Sequence, residues 1–595
     1  MEFSNDGSSM FHRFQAAFVH DGQGQLLYCT GPQKGYVQQQ WESSISHKLP
    51  SQKLQTATGK NTTAPSKIVS ANLDGPFSGS KLYEMQRSGS NTTAGFIIDA
   101  AATSQQDTSS AQFDDFFVQL LLDQADFAIS DDERMKCGTS TAFPTDATSE
   151  IVSLFDSFLR YQGKDDQWEA SGRVYFTERV RHFTSQQARI ELCLPAFPCK
   201  SSNTNKVLGK APDRGEQLAL ERLHEFVEAI ERVYEPGAKM WIISDGHVFS
   251  DCIGVDDEDV DVYGEQLKEM NRAVGVSRGN TDRIGFKSLV DLFELNESKS
   301  QHKLSSLSKD LNIPDIEHHV ETKLTLEAEL CRRILMAGCQ PQESAVRAKI
   351  KSQNPAILAL YRGFSRFMLE DLELHPFTLG MTRSRRKKLS PKVAFEMIMR
   401  NQAYSNLVEL LLPNHVRLSI HAHNNAGPKF GIQLFDPTVV RAVEGLSPDG
   451  TPMTSRDLLH IPTPWHNCVV EVEGSPYLLV TKASVPRQAV SLGAVTGEIS
   501  TKNAPCFVLR PKKGNPAAAS KRSSEEKKEE EDEQEVAVAP VAQRPIVAPA
   551  PVPTQRPRAA AKGKGRFDWV RRLAAFPVIG WLGMIFYHRF VETFV

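Results

Sequence analysis

The sequence predicts an α/β fold with a parallel sheet, on three observations. Residues 188–194 read as a buried strand. A helix with a clear start follows: Pro212 and Asp213 precede Glu216 in an Asp-x-x-Glu capping arrangement, and Leu223, Phe226, Val227, Ile230 and Val233 supply one apolar face. Residues 239–244 (KMWIIS) are then a short apolar strand, which closes a strand-helix-strand unit and favours parallel pairing.

The rest of the chain falls into segments of contrasting composition. Residues 1–110 are crowded with Ser, Thr, Asn, Gln and Gly and are expected to be a mostly disordered extension. Residues 111–510 form the folded body. Within it Ile151, Leu154, Phe155, Phe158 and Leu159 follow one helix face, and Ser390 and Pro391 mark a helix start running through Val393, Met397 and Ile398 towards Leu412. Strand-like segments at 416–421, 429–435, 468–472 and 477–483 make the carboxyl half richer in β-structure. Residues 511–562 are a Lys/Glu run (KRSSEEKKEEEDEQE) followed by a Pro/Ala/Val linker.

The last segment, 563–595, is too apolar for a free tail, with Trp569, Leu573, Phe576, Trp581 and Phe586 behind Arg571 and Arg572. Its uncharged run, 573–587, is shorter than the roughly 20 residues of a simple transmembrane helix and is interrupted by Pro577. A membrane anchor and docking on the body or a partner are the two readings of it.

Composition narrows the function classes. At 595 residues, with 40% hydrophobic and 24% charged, the chain can bury a large core. A formal net charge of -3 gives no global field for nucleic acid, so no nucleic-acid partner is expected and any anion site must be built locally. Nine cysteines are spread along the chain with no CxxC pair, which suggests neither a disulfide framework nor a zinc ribbon and fits a reducing compartment. The opening MEFSNDGSSMFHRFQAAF has no basic region followed by an apolar core, so a cytoplasmic location is expected.

Three polar clusters carry chemistry. The first is SDGHVFSD directly after the 239–244 strand, with Asp245, His247 and Asp251 as candidates for proton transfer or for holding a substrate ammonium. It occupies the carboxyl end of a strand, where open α/β sheets bind ligands. The acidic residues behind it, Glu258, Asp259 and Asp261, read as the negative start of the next helix. The second cluster is basic: Lys200, Lys206 and Lys210 in one stretch, and Arg383, Arg385, Arg386, Lys387 and Lys388 in another. Either could hold a phosphate, although a run such as RSRRKK alone more often marks a solvated face. The third comprises Arg417, His421 and His423 with His466. A His-x-His pair on a strand suits a metal, but no third ligand is identifiable, so no metal is expected. Proton transfer by His421 and His466, or a structural role, is the reading kept. No GxxxxGK[ST] or GxGxxG follows a strand, which gives no indication of an ATP or dinucleotide site.

In this order the stretches FPCKSSNTNKVLGKAPDRGEQLAL, WIISDGHVFSDCIGVDDEDVDVYGEQL, RSRRKKLSPKVAFEMIMRNQAYSNLVELLLPNHVRLSIHAHN and TPWHNCVVEVEG resemble successive blocks of the isocyanide synthases of dityrosine and pyoverdine biosynthesis. The resemblance spans about residues 113 to 500 and neither terminal extension. It implies a Rossmann-like α/β core and a reaction that joins the amine of an L-amino acid to C2 of ribulose 5-phosphate and releases an isocyanide. Ribulose 5-phosphate would be a co-substrate, and no cofactor or metal is implied. Under this resemblance Lys200, Lys206, Lys210, Arg383, Lys387 and Lys388 are candidates for the sugar phosphate, and Arg417 for the amino-acid carboxylate. Asp245, His247, Asp251, His421 and His466 are the candidates for proton transfer. No second catalytic domain is found in the sequence, so a separate tailoring enzyme, such as a dioxygenase, a P450 or a transferase, is the expected partner. A catalytically lapsed, membrane-tethered scaffold and a phosphosugar-dependent lyase or transferase with another product are the competing readings.

Overall fold

The structure, a computed structural model, describes residues 147–512 apart from 161–165, 296–303, 421–423, 444, 447–451, 454–462, 494 and 503, and, nearer the amino terminus, 14–16, 18–20, 26–29, 67–72, 81–86, 93–99 and 111–124. The expected linker and the apolar segment at 563–595 lie outside the described residues.

Five parallel strands form the central sheet: β1 (Ile190–Pro195), β2 (Ala238–Ile243), β3 (Ile284–Lys287), β4 (Val416–Ser419) and β5 (Phe430–Gly431), in the order β5-β4-β1-β2-β3. β1 and β2 pair over six residues, from Ile190 opposite Ala238 to Pro195 opposite Ile243. Between them runs helix α1 (Arg214–Val233). Its start is the predicted capping box: the Asp213 carboxylate accepts from Gly215 N at 2.8 Å, and Asp213 N donates to Glu216 Oε2 at 2.8 Å.

The alternation of side chains along a strand sends residues to two cores. Ile190, Leu192, Leu194, Met240 and Ile242 meet Leu220, Leu223, Phe226 and Ile230 of α1 on one face. Cys193, Trp241 and Ile243 meet the other core, which is built from α4 (Leu326–Cys339) and α6 (Arg383–Leu411). Helices on both faces explain why β2 is wholly apolar except for Lys239. The one carboxylate in β1, Glu191, is buried but satisfied by Arg189 and by Trp241 Nε1. The remaining helices that shape the site are α2 (Gly246–Ile253), α3 (Asp257–Ser277) and α5 (Pro355–Asp371).

Three local expectations differ from what is observed. The helix expected from Ser390 and Pro391 begins at Arg383 instead and runs 29 residues, with Thr382 as its cap and Pro391 inside it. Its first turns are largely exposed, so water can satisfy the carbonyl that Pro391 cannot serve, and Ser390 Oγ donates to Arg386 O. The strand expected at 429–435 shrinks to Phe430–Gly431. Within the polar first 110 residues there are strands: Phe14–Ala16, Thr93–Asp99, Lys81–Gln86 and Lys67–Asn72 form an antiparallel sheet in that order. Phe14 is buried against Phe117, and its carbonyl accepts from Asn406 of α6.

The carboxyl half adds a second, mixed sheet of β6 (Val440–Ala442), β7 (Cys468–Val472), β8 (Leu478–Thr481), β9 (Val495–Ser500) and β10 (Cys506–Pro511), in the order β6-β8-β7-β10-β9. Among the described residues no helix is long and apolar enough to cross a membrane.

Candidate active site

Chain order reverses between β1 and β4, and the loops at the carboxyl ends of the strands beside that point are where this class of sheet takes ligands. The loops after β1 and β2 are stitched together there. Ser244 Oγ donates to Phe197 O at 3.1 Å, and Ser202 Oγ donates to Ile253 O at 3.1 Å. Gly246 approaches Pro198 so closely that a Cβ would lie 2.3 Å from its carbonyl oxygen, which only glycine tolerates.

Asp245 stands at the end of β2, in the N-cap position of α2, yet its side chain makes no capping bond. Its Oδ1 is buried without a hydrogen-bond partner, and burial lifts the carboxyl to about 7. A carboxyl poised near neutrality can both accept and return a proton. His247, the second residue of α2, is buried, with Nε2 3.1 Å from Asp261 Oδ1 but not aligned as a hydrogen bond. The Cys199 thiol is pushed far up by burial and then by the charges of Asp245 and Asp371.

Asp371, the last residue of α5, is fully buried. Its Oδ1 accepts from Lys206 Nζ at 2.8 Å and from Ser201 Oγ at 2.7 Å, while Oδ2 has no partner. Burial would raise this carboxyl, but the charges of Lys206 and His466 outweigh burial and lower it. Lys206 Nζ also lies 4.3 Å over the Phe367 ring, which packs T-shaped with His466 at 5.1 Å between centroids. The turn Pro464–His466 is tied to the β1 loop by Ser201 N donating to Trp465 O, and Phe197 packs on Trp465. The loop after β1, the end of α5 and the turn carrying His466 therefore converge on Lys206 and Asp371.

Helix α2 is clamped from the opposite side by two buried arginines. Arg400 of α6 donates to Asp251 Oδ1 and Oδ2 at 2.5 and 2.9 Å and to Val248 O at 3.0 Å. Arg332 of α4 donates to both oxygens of Asp257 at 2.9 Å and to His247 O at 3.0 Å. His318 bridges Asp251 at 2.8 Å and Glu329 at 3.2 Å, which raises its imidazole to about 9. Burial acts to raise Asp251, yet Arg400, His318 and Arg332 prevail and hold it well below the carboxylate range. So fixed, Asp251 is a poor proton acceptor and an effective anchor for the helix that carries Asp245 and His247.

The basic candidates separate. Lys200 is fully buried, 2.8 Å from both Asp213 and Glu216, and donates to Pro464 O at 2.9 Å. Its charge is balanced internally, and burial lifts its partner Glu216 to about 7. Lys206 is likewise held by Asp371. Lys210 is exposed and pairs with Asp259 at 2.6 Å. Arg383, Lys387 and Lys388 lie exposed in the first turns of α6. Arg417 is half-buried on β4 with Nη1 3.4 Å from Ser405 O. His421 lies outside the described residues. Asp371, Ser201, Arg332 and Arg400 were not singled out from the sequence. For Asp371 a signal existed: a carboxylate at a helix carboxyl end opposes the helix dipole, so something else must hold it. Among the described residues no group of three or more His, Cys, Asp or Glu could hold a metal ion, and the seven cysteines from Cys193 to Cys506 are free thiols.

Fold and site together define an α/β protein with a buried acid-base cluster at the carboxyl ends of parallel strands. A family model described as pyoverdine/dityrosine biosynthesis protein matches residues 180–493. The chain is 42% identical over 393 residues to the spore wall maturation protein DIT1 of Saccharomyces cerevisiae, covering 65% of this chain and 70% of that one. It is 31% identical over 326 residues to the L-tryptophan isonitrile synthase AmbI2 of Fischerella ambigua, covering 54% and 80%. It is also 31% identical over 301 residues to an L-tyrosine isonitrile synthase of Xenorhabdus nematophila, covering 51% and 74%. The chain belongs to the pyoverdine/dityrosine biosynthesis family.

Proposed function

We propose that this protein is an isocyanide synthase that converts the amino group of an L-amino acid of the tyrosine, tryptophan or valine class to an isocyanide, with ribulose 5-phosphate as carbon donor. Two of the similar proteins carry the name isonitrile synthase, one for L-tryptophan and one for L-tyrosine, which supports the reaction class. In this reading the amine attacks the C2 ketone and water leaves. Of the two carbon–carbon bonds to C2, one then breaks with its fragment leaving as an aldehyde and its electron pair left on C2. The other breaks with the electron pair going to the departing fragment, which takes up a proton, so that C2 stays on nitrogen as the isocyanide. Each stage moves a proton.

The observation that carries the reading is Asp245, a buried carboxyl lifted to about 7 with one oxygen unengaged at the end of β2. It takes the proton of the substrate ammonium and returns it during dehydration. His247, behind it on the same helix, and His466, across the β1 loop, extend the proton path. Lys206, oriented by Asp371, polarises an oxygen of the sugar. Asp251 positions rather than reacts. The reading calls for no cofactor beyond the phosphosugar, and the product would pass to a separate tailoring enzyme such as a dioxygenase, a P450 or a transferase.

The test is to incubate the full chain with ribulose 5-phosphate labelled with carbon-13 at C2 and a mixture of amino acids, then search for labelled isocyanide by mass spectrometry. A labelled isocyanide is expected, and its mass identifies the amino acid. Folded protein that yields no labelled isocyanide, or a product of another class, overturns the reading.

A further inference from the structure

Under helix α6 two cations stand together without an ion-pair partner among the described residues. Arg417 lies on β4 opposite Cys193 of β1, and Cys193 faces the core that α6 covers. Its Nη1 reaches Ser405 O, and its Nε is buried without a partner. Lys429, just before β5, donates from Nζ to Ser405 Oγ at 2.5 Å. The two side chains thus meet on a single residue of α6. Among the described residues no carboxylate forms an ion pair with either, whereas Lys200, Lys206, Arg332 and Arg400 each have one. Among the described residues Glu409, four residues beyond Ser405 on α6, is the acid whose charge acts on Lys429.

Two unpaired like charges in a partly desolvated place are unfavourable unless an anion balances them. The cost is visible in Lys429, which burial and then the Arg417 charge pull down to about 8. The donors on offer are the Arg417 Nε–H, the Lys429 ammonium and the Ser405 hydroxyl, enough for three oxygens around one phosphorus. A phosphate monoester carries roughly two negative charges at neutral pH, which matches two cations, whereas a carboxylate would balance only one.

We propose that Arg417, Lys429 and Ser405 form a binding site for a phosphate monoester. Identifying that group as the phosphate of the donor sugar rests on the functional reading above. The location suits it. Tyr404, the neighbour of Ser405, donates from its hydroxyl to Ile243 O at the end of β2. Burial pushes that hydroxyl well up, the Asp245 charge adds to the rise and the Arg417 charge opposes it, so both groups lie within electrostatic reach of Tyr404. Lys200 and Lys206, prominent in the sequence, already have their charge balanced by buried acids and so are not the pair that calls for an added phosphate.

The test uses the full chain and inorganic phosphate as the probe, with affinity measured by calorimetry. Wild-type protein is expected to bind phosphate, and Lys429→Met and Arg417→Met should each weaken binding about tenfold or more, the loss of one charged hydrogen bond. Among the described residues the charged groups acting on Lys429 are Arg417 and Glu409. Wild-type affinity should therefore fall as pH rises through about 8, while Lys429→Arg should retain binding and lose that fall. Variants that melt like wild type and bind phosphate equally well overturn the site, as does wild type that binds none. In the isocyanide assay Lys429→Met should raise KM for ribulose 5-phosphate and leave KM for the amino acid in place; the reverse pattern overturns the assignment to the sugar. Phosphate binding that depends on these residues, in a protein that makes no isocyanide, keeps the anion site and rejects the functional reading.

Discussion

Replacing Arg400 with methionine removes the keystone of the clamp on α2 and should destabilise the protein without touching any group that meets substrate. Arg400 is fully buried and supplies two short hydrogen bonds to Asp251, one to Val248 O and one to Glu396. In its absence Asp251 keeps His318 as its hydrogen-bond partner. Breaking a buried pair on one side costs about 3–5 kcal/mol. With a urea slope of about 3 kcal/mol per M, the midpoint falls by roughly 1–2 M. Trp241, in the core that α6 covers, makes fluorescence a suitable readout. The sign with pH follows from the lowered carboxyl: its contribution is present above the ordinary aspartate range and is lost as pH falls through the depressed folded value. The gap between wild type and Arg400→Met should therefore narrow in acid. The double variant Arg400→Met with Asp251→Leu removes the fully buried carboxylate, leaving only the partly exposed Glu396 without Arg400, and should recover most of the loss. An Arg400→Met protein with the wild-type urea midpoint, or a double variant no better than the single, would refute the reasoning.

Three further outcomes follow from the same geometry. Asp245→Asn should lower kcat by about 10²–10⁴-fold and abolish the limb of the rate profile that rises near pH 7, with the urea midpoint unchanged or higher; undiminished turnover would remove Asp245 from the chemistry. His318 is raised from 6.5 to about 9, so its contribution to stability is whole below the ordinary value and is lost as pH rises through the folded value. Thermal melting of wild type should fall across that window and that of His318→Gln should fall less, and parallel curves would contradict the assignment. Gly246→Ala puts a Cβ 2.3 Å from Pro198 O and 2.5 Å from Val260 Cγ1, which should cost about 1–3 kcal/mol and reduce turnover by displacing Asp245; a wild-type melting curve would show that the two loops are not locked there.

Much of the fold was legible in the chain because local patterns carry it. The apolar runs of β1 and β2 and the Asp213–Glu216 capping box needed no tertiary information, since burial on both faces and a helix start each leave a mark within a few residues. The position of Asp245, immediately after β2, was likewise implied by the strand that precedes it. The helix start at Arg383 was missed because Thr382 is an ordinary cap and Pro391 a stronger signal than the exposed turns that tolerate it. The amino-terminal strands were missed because their pairing, not their polar composition, makes them.

Within the site the sequence determined which charged residues exist, and tertiary structure alone decided which charges remain free. Lys200, Lys206 and Asp251 look equally available in the chain, yet each is neutralised by a partner at least 149 residues away or by a buried acid pair. Asp245 and the pair Arg417–Lys429, by contrast, are left without an ion-pair partner among the described residues by the way the loops and α6 close over the sheet. The physical reason is that desolvation and ion pairing depend on the summed surroundings of a group in space, and no window of sequence contains those surroundings.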